Sequence, residues 1–158
     1  MISALLWLII GLVLMESFSW WIHKYIMHGV LWKIHKTHHQ HTKGYFELND
    51  LFTLIFGGAA VVLIFLGVEN LDYRFWLGCG ISLYGMLYFV LHDVLIHKRL
   101  KLLGRPKLKY LKAITKAHRA HHKSKEKEDG ESFGLFLIPK KYFKEEDINK
   151  ALLIIYCE

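Results

Sequence analysis

Histidine is distributed unevenly along this chain of 158 residues: ten of its 11 histidines fall into four short clusters. Two clusters follow the first long apolar segment, as HKYIMH at 23–28 and HKTHH at 35–39. Two more follow a later apolar segment, as HDVLIH at 92–97 and HRAHH at 118–122. The chain therefore repeats one pattern: an apolar segment, then H-x4-H, then H-x2-H-H. The clustered residues, which we predict to be metal ligands, are His23, His28, His35, His38, His39, His92, His97, His118, His121 and His122.

The spacing within each H-x2-H-H cluster suits metal binding from a helix. Residues at i, i+3 and i+4 share one helix face, so the three imidazoles point the same way. The adjacent pair is splayed by about 100°, which allows neighbouring histidines to bind different metals. The H-x4-H pairs lie about 140° apart on an ideal helix. We therefore expect a local irregularity of the helix at both of these pairs.

The number of clustered histidines points to more than one metal ion. Structural zinc takes four ligands and catalytic zinc takes three, so ten imidazoles exceed the needs of one zinc. Two metals with about five ligands apiece match the number better. Imidazole binds Zn, Cu, Fe and Ni, and the ligand type alone leaves the metal open. His41 lies outside the four clusters, and we interpret it as an ordinary interfacial histidine.

Three apolar segments must position these clusters. Residues 2–22, 51–68 and 75–91 each fall within the roughly 17–25 mostly apolar residues that a membrane-spanning helix needs, the last at the short end of that range. The first segment lacks a basic start and a cleavage motif, which favours a retained span over a secretory signal. We therefore predict an all-α integral membrane helical bundle. It would form a single domain over residues 1–158, with three to four transmembrane helices and a cytoplasmic di-metal site.

Basic residues alternate with the predicted spans. Of the 21 Lys and Arg residues, 20 lie in segments 23–50 and 92–158, and only Arg74 lies in the connection between the second and third spans. The positive-inside rule then places the histidine clusters, 23–39 and 92–122, in the cytoplasm and the N-terminus outside. This alternation accounts for the net charge of +7 without a nucleic-acid partner.

Three further residues are candidates for roles beside the metal ligands. Glu16 is a carboxylate within a span, about two turns before His23. It is a candidate to hydrogen-bond a ligand imidazole, and the alternative is that its side chain only extends toward the membrane interface. Asp93 is a candidate for the same role because it follows His92 directly. Tyr88 precedes His92 by one turn, and we predict that it lines the approach from lipid to metal.

Shorter segments must close the structure between and after the spans. A basic segment at 107–123 predicts a fourth helix on the cytoplasmic side, following the break at LLGRPK. FGLFLIP at 133–139 is too short to span a membrane, so we expect it to lie at the interface or to cover another part. Before the second span, ELND supplies Asn49 or Asp50 as an N-cap.

The sequence resembles the bacterial β-carotene 3-hydroxylases, a group within the superfamily of membrane fatty-acid and sterol hydroxylases and desaturases. The motifs that resemble those of the group are HKYIMH, HKTHH, HDVLIH and HRAHH, in this order. The similarity extends to MHGVLWKIHKTHH, FELNDLF, ISLYGMLYFVLHDVLIHKR and SFGLF, and covers the chain from about residue 5 to 139.

The resemblance implies a non-haem di-iron monooxygenase of the inner membrane that uses O2 and a ferredoxin-type electron donor. Its substrate would be β-carotene, hydroxylated at C3 of each β-ionone ring to give β-cryptoxanthin and then zeaxanthin. The ten clustered histidines would bind the two iron ions. The sequence has no Gly-rich nucleotide loop, which agrees with electrons from a separate protein. An apolar substrate would arrive through the lipid bilayer, and the basic face would attract an acidic donor.

Two alternatives to this interpretation are open at this point. Another enzyme of the superfamily, such as a carotenoid ketolase or a fatty-acid or sterol hydroxylase, would share most of the pattern. Only the repeated H-x4-H pair favours carotenoid 3-hydroxylation, and it does so by resemblance. A metal transporter or non-enzymatic metal-binding membrane protein belongs to a different class. Transporters place ligands near the bilayer midplane, whereas these histidines lie at the ends of the spans.

Overall fold

A computed structural model describes residues 2–40, 46–124, 127 and 130–143. Their regular secondary structure is entirely helical, which confirms the predicted all-α class. His41 lies outside the described residues. The five α-helices are α1 (Ile2–Trp21), α2 (Trp32–His39), α3 (Asp50–Gly67), α4 (Tyr73–Tyr88) and α5 (Lys109–Lys123), and a 3₁₀ turn follows at Lys140–Phe143.

Three helices of the described chain are long and apolar enough to cross a membrane, as predicted. The first and third continue beyond their α-helical parts, so the spans run over Ile2–Val30, Asp50–Gly67 and Tyr73–Ile96. The predicted fourth helix at 107–123 is α5. With 15 residues, α5 is shorter than the roughly 20 that a span needs.

Both H-x4-H pairs occur where a span changes from α-helix to π-helix. The π-helical segments are Ile22–Val30, after α1, and Phe89–Ile96, after α4. The backbone N–H of His97 donates to the carbonyl of His92 at 2.9 Å, which is the i→i+5 bond of a π-helix. This bond brings residues five apart onto one face, so both histidines of a pair can point into one site. The expected irregularity is confirmed.

Close contacts at glycine pack the three spans together. α4 packs against both α1 and α3. A Cβ at Gly80 would lie 2.2 Å from the carbonyl oxygen of Leu8 in α1, and one at Gly78 would lie 2.8 Å from that of Ala60 in α3. Only hydrogen fits at these positions, as is common where membrane helices meet. Outward side chains such as Phe65, 74% exposed, are apolar and suit contact with lipid.

α5 closes the end of the bundle that bears the histidines, which we call the histidine end. Ile114 of α5 is 1% exposed and packs with Ile96 and Leu135. This small core joins α5 to the second π-helical segment and to residues 133–138. The apolar contact therefore fixes the position of the second H-x2-H-H cluster relative to the spans.

Candidate metal centre

The ten clustered histidines converge at the histidine end into two groups of five. In each group, one nitrogen from every imidazole lies within 4.8 Å of the corresponding nitrogens of the other four. Group A consists of His23, His28, His35, His39 and His121, and group B of His38, His92, His97, His118 and His122. The sequence prediction of two sites with about five histidines each agrees with this grouping.

The two H-x2-H-H helices contribute to both groups, whereas each H-x4-H pair belongs to one. In α2, His39 points into group A and His38 into group B. In α5, His121 points into group A and His122 into group B. The splay of about 100° between adjacent helical residues produces this division. The first H-x4-H pair lies wholly in group A and the second wholly in group B.

The Nε2 atoms face one another within each group. The distance between Nε2 atoms is 3.0 Å for His38 and His92, and 2.8 Å for His97 and His118. The measured Nε2 pairs of both groups span 2.8 to 3.3 Å. Two imidazole nitrogens bound to one metal at about 2.1 Å and at a right angle are about 3.0 Å apart. The donor atoms therefore have the spacing that one metal per group requires.

The other ring nitrogen, Nδ1, faces a hydrogen-bond acceptor in at least seven of these residues. A carbonyl or carboxylate oxygen only accepts, so Nδ1 must bear the proton and Nε2 must present its lone pair. Metal-binding histidines typically show this arrangement. The acceptors are the backbone carbonyls of Phe133, Lys127, Ser124 and Glu131, for His23, His28, His39 and His121, and the side chains of Asn49, Glu47 and Asp93, for His35, His38 and His92.

Burial favours the neutral form, which binds metal, for three imidazoles that lie outside the spans. Removal from water lowers the pKa of His35 to about 3 and that of His39 to about 4. It also lowers the pKa of His121 to about 2. Nε2 of His122 is buried and has no hydrogen-bond partner among the described residues, a deficit that a bound cation would remove. Tautomer, charge and spacing therefore all fit a pair of metal ions.

Carboxylates orient two imidazoles of group B. Nδ1 of His92 lies 3.1 Å from Oδ1 of Asp93, so the structure places Asp93 where the sequence predicted it. Nδ1 of His38 lies 2.9 Å from Oε2 of Glu47. Sequence reasoning missed Glu47, although Glu47 and Asp50 are the two acidic residues of the otherwise basic segment 23–50, which is a usable signal.

Arg99 connects these carboxylates to α3. Its guanidinium donates to both carboxylate oxygens of Asp50, at 2.8 and 2.7 Å, and to Oδ1 of Asp93 at 3.3 Å. Oδ2 of Asp50 in turn accepts the backbone N–H of Glu47 at 3.0 Å. This network fixes the carboxylates that orient His38 and His92. Sequence reasoning also missed Arg99, which lies two residues after the last histidine of its cluster.

The predicted N-cap of the second span is wrong in its contacts. α3 begins at Asp50, but the side chain of Asn49 makes no capping hydrogen bond. Its Oδ1 instead accepts from Nδ1 of His35 at 2.7 Å. His35 is 2% exposed, so its ring N–H has no access to water and needs a protein acceptor.

The predicted contact of Glu16 is also wrong. Glu16 is 6% exposed, but its carboxylate accepts no hydrogen bond from an imidazole among the described residues. Oε2 accepts from the hydroxyl of Tyr84 at 2.9 Å, and Oε1 accepts the backbone N–H groups of Phe136 and Leu137 at 2.9 and 3.0 Å. Residues 133–138 are not helical, so their N–H groups require an acceptor outside their own backbone. Glu16 supplies it.

The segment held by Glu16 covers group A, as expected for a segment too short to span. The carbonyl of Phe133 accepts from Nδ1 of His23 at 2.8 Å. The phenyl ring of Phe133 lies against three imidazoles, with centroid distances of 5.4 Å to His23, 5.1 Å to His28 and 5.2 Å to His121. Glu16 thus acts on the histidines indirectly, through residues 133–138.

A cavity of about 350 Å³ lies among the three spans beside the histidine groups. Asn49, Tyr88 and Asp93 line it and also contact histidines of the two groups. The Tyr88 ring stacks on His92 with a centroid distance of 4.4 Å and also lines the cavity. That Tyr88 lines an approach from lipid to metal stays a prediction. The cavity also extends between apolar residues, among them Met15, Met27, Phe52, Phe56, Ala60 and Ile81.

Most of this chain is similar in sequence to known proteins. The sequence model of the fatty acid hydroxylase family matches residues 8–141. The chain is 44% identical, over 80% of its length, to a protein of Pseudescherichia vulneris named Beta-carotene hydroxylase, of which it covers 72%. It is 32% identical, over 88% of its length, to a protein of Paracoccus sp. (strain PC1) with the same name, of which it covers 86%.

A plant protein is similar over the same part of the chain. Beta-carotene 3-hydroxylase 2, chloroplastic, of Arabidopsis thaliana is 38% identical over 80% of the chain, which spans 42% of the plant protein. No solved structure matches the chain.

Proposed function

This chain belongs to the fatty acid hydroxylase family, and we propose that it is a β-carotene 3-hydroxylase that acts as a single membrane-embedded domain. Each turnover would convert one ring C3–H bond to C3–OH, consume O2, two electrons and two protons, and release one water. β-Carotene would give β-cryptoxanthin, and a second turnover would give zeaxanthin. Membership of a hydroxylase family favours an oxidoreductase over the alternative of a metal transporter.

The contact between the cavity and the histidine groups supports this proposal most directly. Tyr88 and Asp93 line the cavity and contact His92 of group B. Asn49 lines the same cavity and accepts a hydrogen bond from His35 of group A. An apolar ring in the cavity would therefore lie beside both groups, as oxidation of a lipid-dissolved substrate requires.

Groups A and B would each hold one iron ion through five imidazoles. Bound iron would supply the reductive activation of O2 that inserts an oxygen atom into a C–H bond. The protein contributes the orientation of the donor atoms, because the Nδ1 acceptors fix the rings and their tautomers. It also contributes a largely apolar pocket, since Met27, Phe52 and Phe56 are among the residues that line the cavity.

The orientation in the membrane follows from charge. Three apolar spans associate this chain with a membrane, and segments 23–50 and 92–158 contain 20 of the 21 basic residues. In a bacterial cell, the histidine end would then face the cytoplasm and the N-terminus the opposite side of the inner membrane.

A basic stripe on α5 suits an acidic electron donor of the ferredoxin type. The residues of the stripe share one face of α5, because they recur at intervals of three and four, and this face points away from the face that bears the histidines. An acidic protein docked there would lie one helix diameter, about 10 Å, from both groups. The residues of the stripe are Lys109, Lys112, Lys116, Arg119 and Lys123.

The docking of the donor is tested by charge reversal within the stripe. The double variant Lys109→Glu/Lys112→Glu should raise the KM for a reduced acidic ferredoxin about tenfold at low salt, with kcat nearly unchanged, because attraction mainly speeds encounter. The double variant Lys33→Glu/Lys101→Glu changes the net charge equally at exposed residues outside the stripe and is the control. Equal KM values for the two double variants would contradict docking on α5.

The activity itself is tested by expressing the chain in cells that accumulate β-carotene. Chromatography of the pigments should show β-cryptoxanthin and zeaxanthin, and the purified protein should contain iron. A 4-keto product would instead identify a ketolase. Unchanged β-carotene, with a functional donor present and iron bound, would favour a fatty-acid or sterol hydroxylase and contradict the proposal.

A further inference from the structure

Four of the six glycines of α3 and α4 fall into two kinds. At Gly67 and Gly78, a Cβ would lie 2.3 and 2.8 Å from backbone atoms of the facing helix. At Gly57 and Gly85, a Cβ would meet no atom within 4 Å, and both residues line the cavity. Glycine inside a helix is destabilising relative to alanine. Close helix packing explains the first kind but not the second.

Gly57 and Gly85, the second kind of glycine, mark where the cavity opens between α3 and α4. Gly67 and Gly78 hold the two helices together at the end remote from the histidines. Nearer the histidine end, Gly57 and Gly85 are exposed although they line the cavity. Val61 and Phe89 also line the cavity, and they are 49% and 48% exposed. The cavity therefore reaches the outer surface of the bundle between α3 and α4, at a height where that surface meets lipid.

We propose that this gap is a lateral port through which a ring-ended polyene enters the cavity from the bilayer. The hydrogen side chains of Gly57 and Gly85 leave the width that a methylated ring needs, which exceeds that of a straight acyl chain. Apolar side chains at the mouth, Val61 and Phe89, suit an entrant dissolved in lipid rather than in water. The identity of the polyene as a carotenoid rests on the proposed function.

The port leads directly to the histidine groups. Gly85 lies one turn before Tyr88, whose ring stacks on His92. Along α3, Gly57 lies eight residues, or about 12 Å, from Asn49, which contacts His35. A ring that passes between the glycines thus reaches both groups with the polyene chain still in the port. Width at the glycines would select the substrate before the reaction begins.

Leucine at either glycine tests the port. Gly57→Leu and Gly85→Leu would fill the gap with four carbon atoms, and leucine forms helices better than glycine, so the fold should not weaken. Gly58→Leu is the matched control. Gly58 is exposed, a Cβ there would meet no atom within 4 Å, and it does not line the cavity.

Three quantities would be measured for the wild type and the three variants. The first is the β-carotene that remains bound to the purified, chelator-treated protein in detergent micelles. The second is the initial rate of hydroxylation by the iron-loaded protein. The third is the iron content together with the thermal midpoint, which reports on the site and the fold.

The expected result is a loss of substrate binding and hydroxylation without a loss of iron or of thermal stability. Bound β-carotene and the initial rate should fall at least about tenfold in Gly57→Leu and Gly85→Leu, while Gly58→Leu stays near the wild type. Iron content and thermal midpoint should stay the same in all four proteins. Equal retention of β-carotene in all four proteins, or an equal loss in Gly58→Leu, would overturn the port.

These measurements distinguish a failure of the proposed port from a failure of the proposed function. A wild-type protein that binds β-carotene without forming a C3 alcohol would contradict the proposed function. The difference in β-carotene retention between Gly57→Leu and Gly58→Leu would still decide on the port, because retention is measured without catalysis.

Discussion

His38 and His39 are adjacent in the chain, yet their imidazoles belong to different groups. Nε2 of His39 lies 3.2 Å from that of His35 in group A, whereas Nε2 of His38 lies 3.0 Å from that of His92 in group B. One peptide bond therefore links the two candidate metal sites. Since the helix holds both side chains, a change in one group is transmitted to the other by a short and stiff path.

Removal of one imidazole from either group should abolish hydroxylation. We expect this for His38→Ala in group B and for His121→Ala in group A, because either loss opens a coordination position and changes the charge distribution at the metal. Bound metal should fall by about half or more, since each variant damages one of two sites. Both changes lie at the histidine end and outside the spans themselves, so the variants should still insert and accumulate. Pigment output and metal content at matched expression would be measured.

His41→Ala is the control for these variants. His41 lies outside the four clusters and outside the described residues, and we expect this variant to keep most of its activity and metal. An active His38→Ala protein, or an inactive His41→Ala protein, would show that the metal ligands are assigned wrongly.

Glu16 should stabilise residues 133–138 rather than a metal. Glu16→Ala removes the acceptor of two backbone N–H groups, those of Phe136 and Leu137, and each unsatisfied group costs roughly 1–3 kcal/mol. The segment should then open locally. Hydrogen exchange at Phe136 and Leu137 should become at least about tenfold faster, and activity should fall because Phe133 no longer orients His23.

Glu16→Gln separates the hydrogen bonds from the charge. Glutamine keeps one carbonyl oxygen that can accept from Phe136 and Leu137, so exchange at these residues should stay closer to the wild type. Hydrogen exchange that is unchanged in Glu16→Ala would contradict the proposed role of the carboxylate.

The spans and the two-group arrangement could be predicted because their signals are local. Apolar length identifies the spans, and helical spacing separates His38 from His39 before any tertiary contact is known. The H-x4-H spacing matches the i→i+5 bond of a π-helix, so the local sequence also indicates the irregularity at His92 and His97.

Apart from Asp93, the hydrogen-bond acceptors could not be predicted, because most of them come from non-helical segments. Every residue has a backbone carbonyl oxygen, so the sequence does not reveal that those of Lys127 and Phe133 are the acceptors. Asn49 has the pattern of a helix cap, and only the buried position of His35 directs its side chain elsewhere. The intramembrane position of Glu16 correctly indicated a buried contact, but spacing alone could not identify its partner.

The proposed topology makes a prediction about labelling. Asn70 lies in the connection between α3 and α4, and Lys101 lies between the third span and α5; both are exposed. In a chain whose native Cys79 and Cys157 are replaced by alanine, Asn70→Cys should react with an impermeant maleimide added outside intact cells. Lys101→Cys should react only after the cells are opened. Reaction of both residues from one side would contradict the N-out orientation.

The cavity predicts the order in which products appear. A carotenoid is about as long as the hydrocarbon core of a bilayer, roughly 30 Å. Along α3 the cavity extends from Asn49 to Val61, twelve residues or about 18 Å of helix. Only one end of the molecule can therefore lie beside the histidine groups, and the other ring must stay in the port or the lipid. The second ring reaches the groups only after the first has left.

The singly hydroxylated carotenoid should consequently leave the protein before the second reaction. In a time course with limiting protein, β-cryptoxanthin should accumulate first, and zeaxanthin should follow with a lag. Unlabelled β-cryptoxanthin, added in excess during conversion of labelled β-carotene, should dilute the label in zeaxanthin, because a released intermediate mixes with the added pool. The same addition after conversion is complete should leave that label unchanged and is the control. Zeaxanthin that forms without a lag and keeps its full label would mean that both rings react in one binding event, which this cavity does not accommodate.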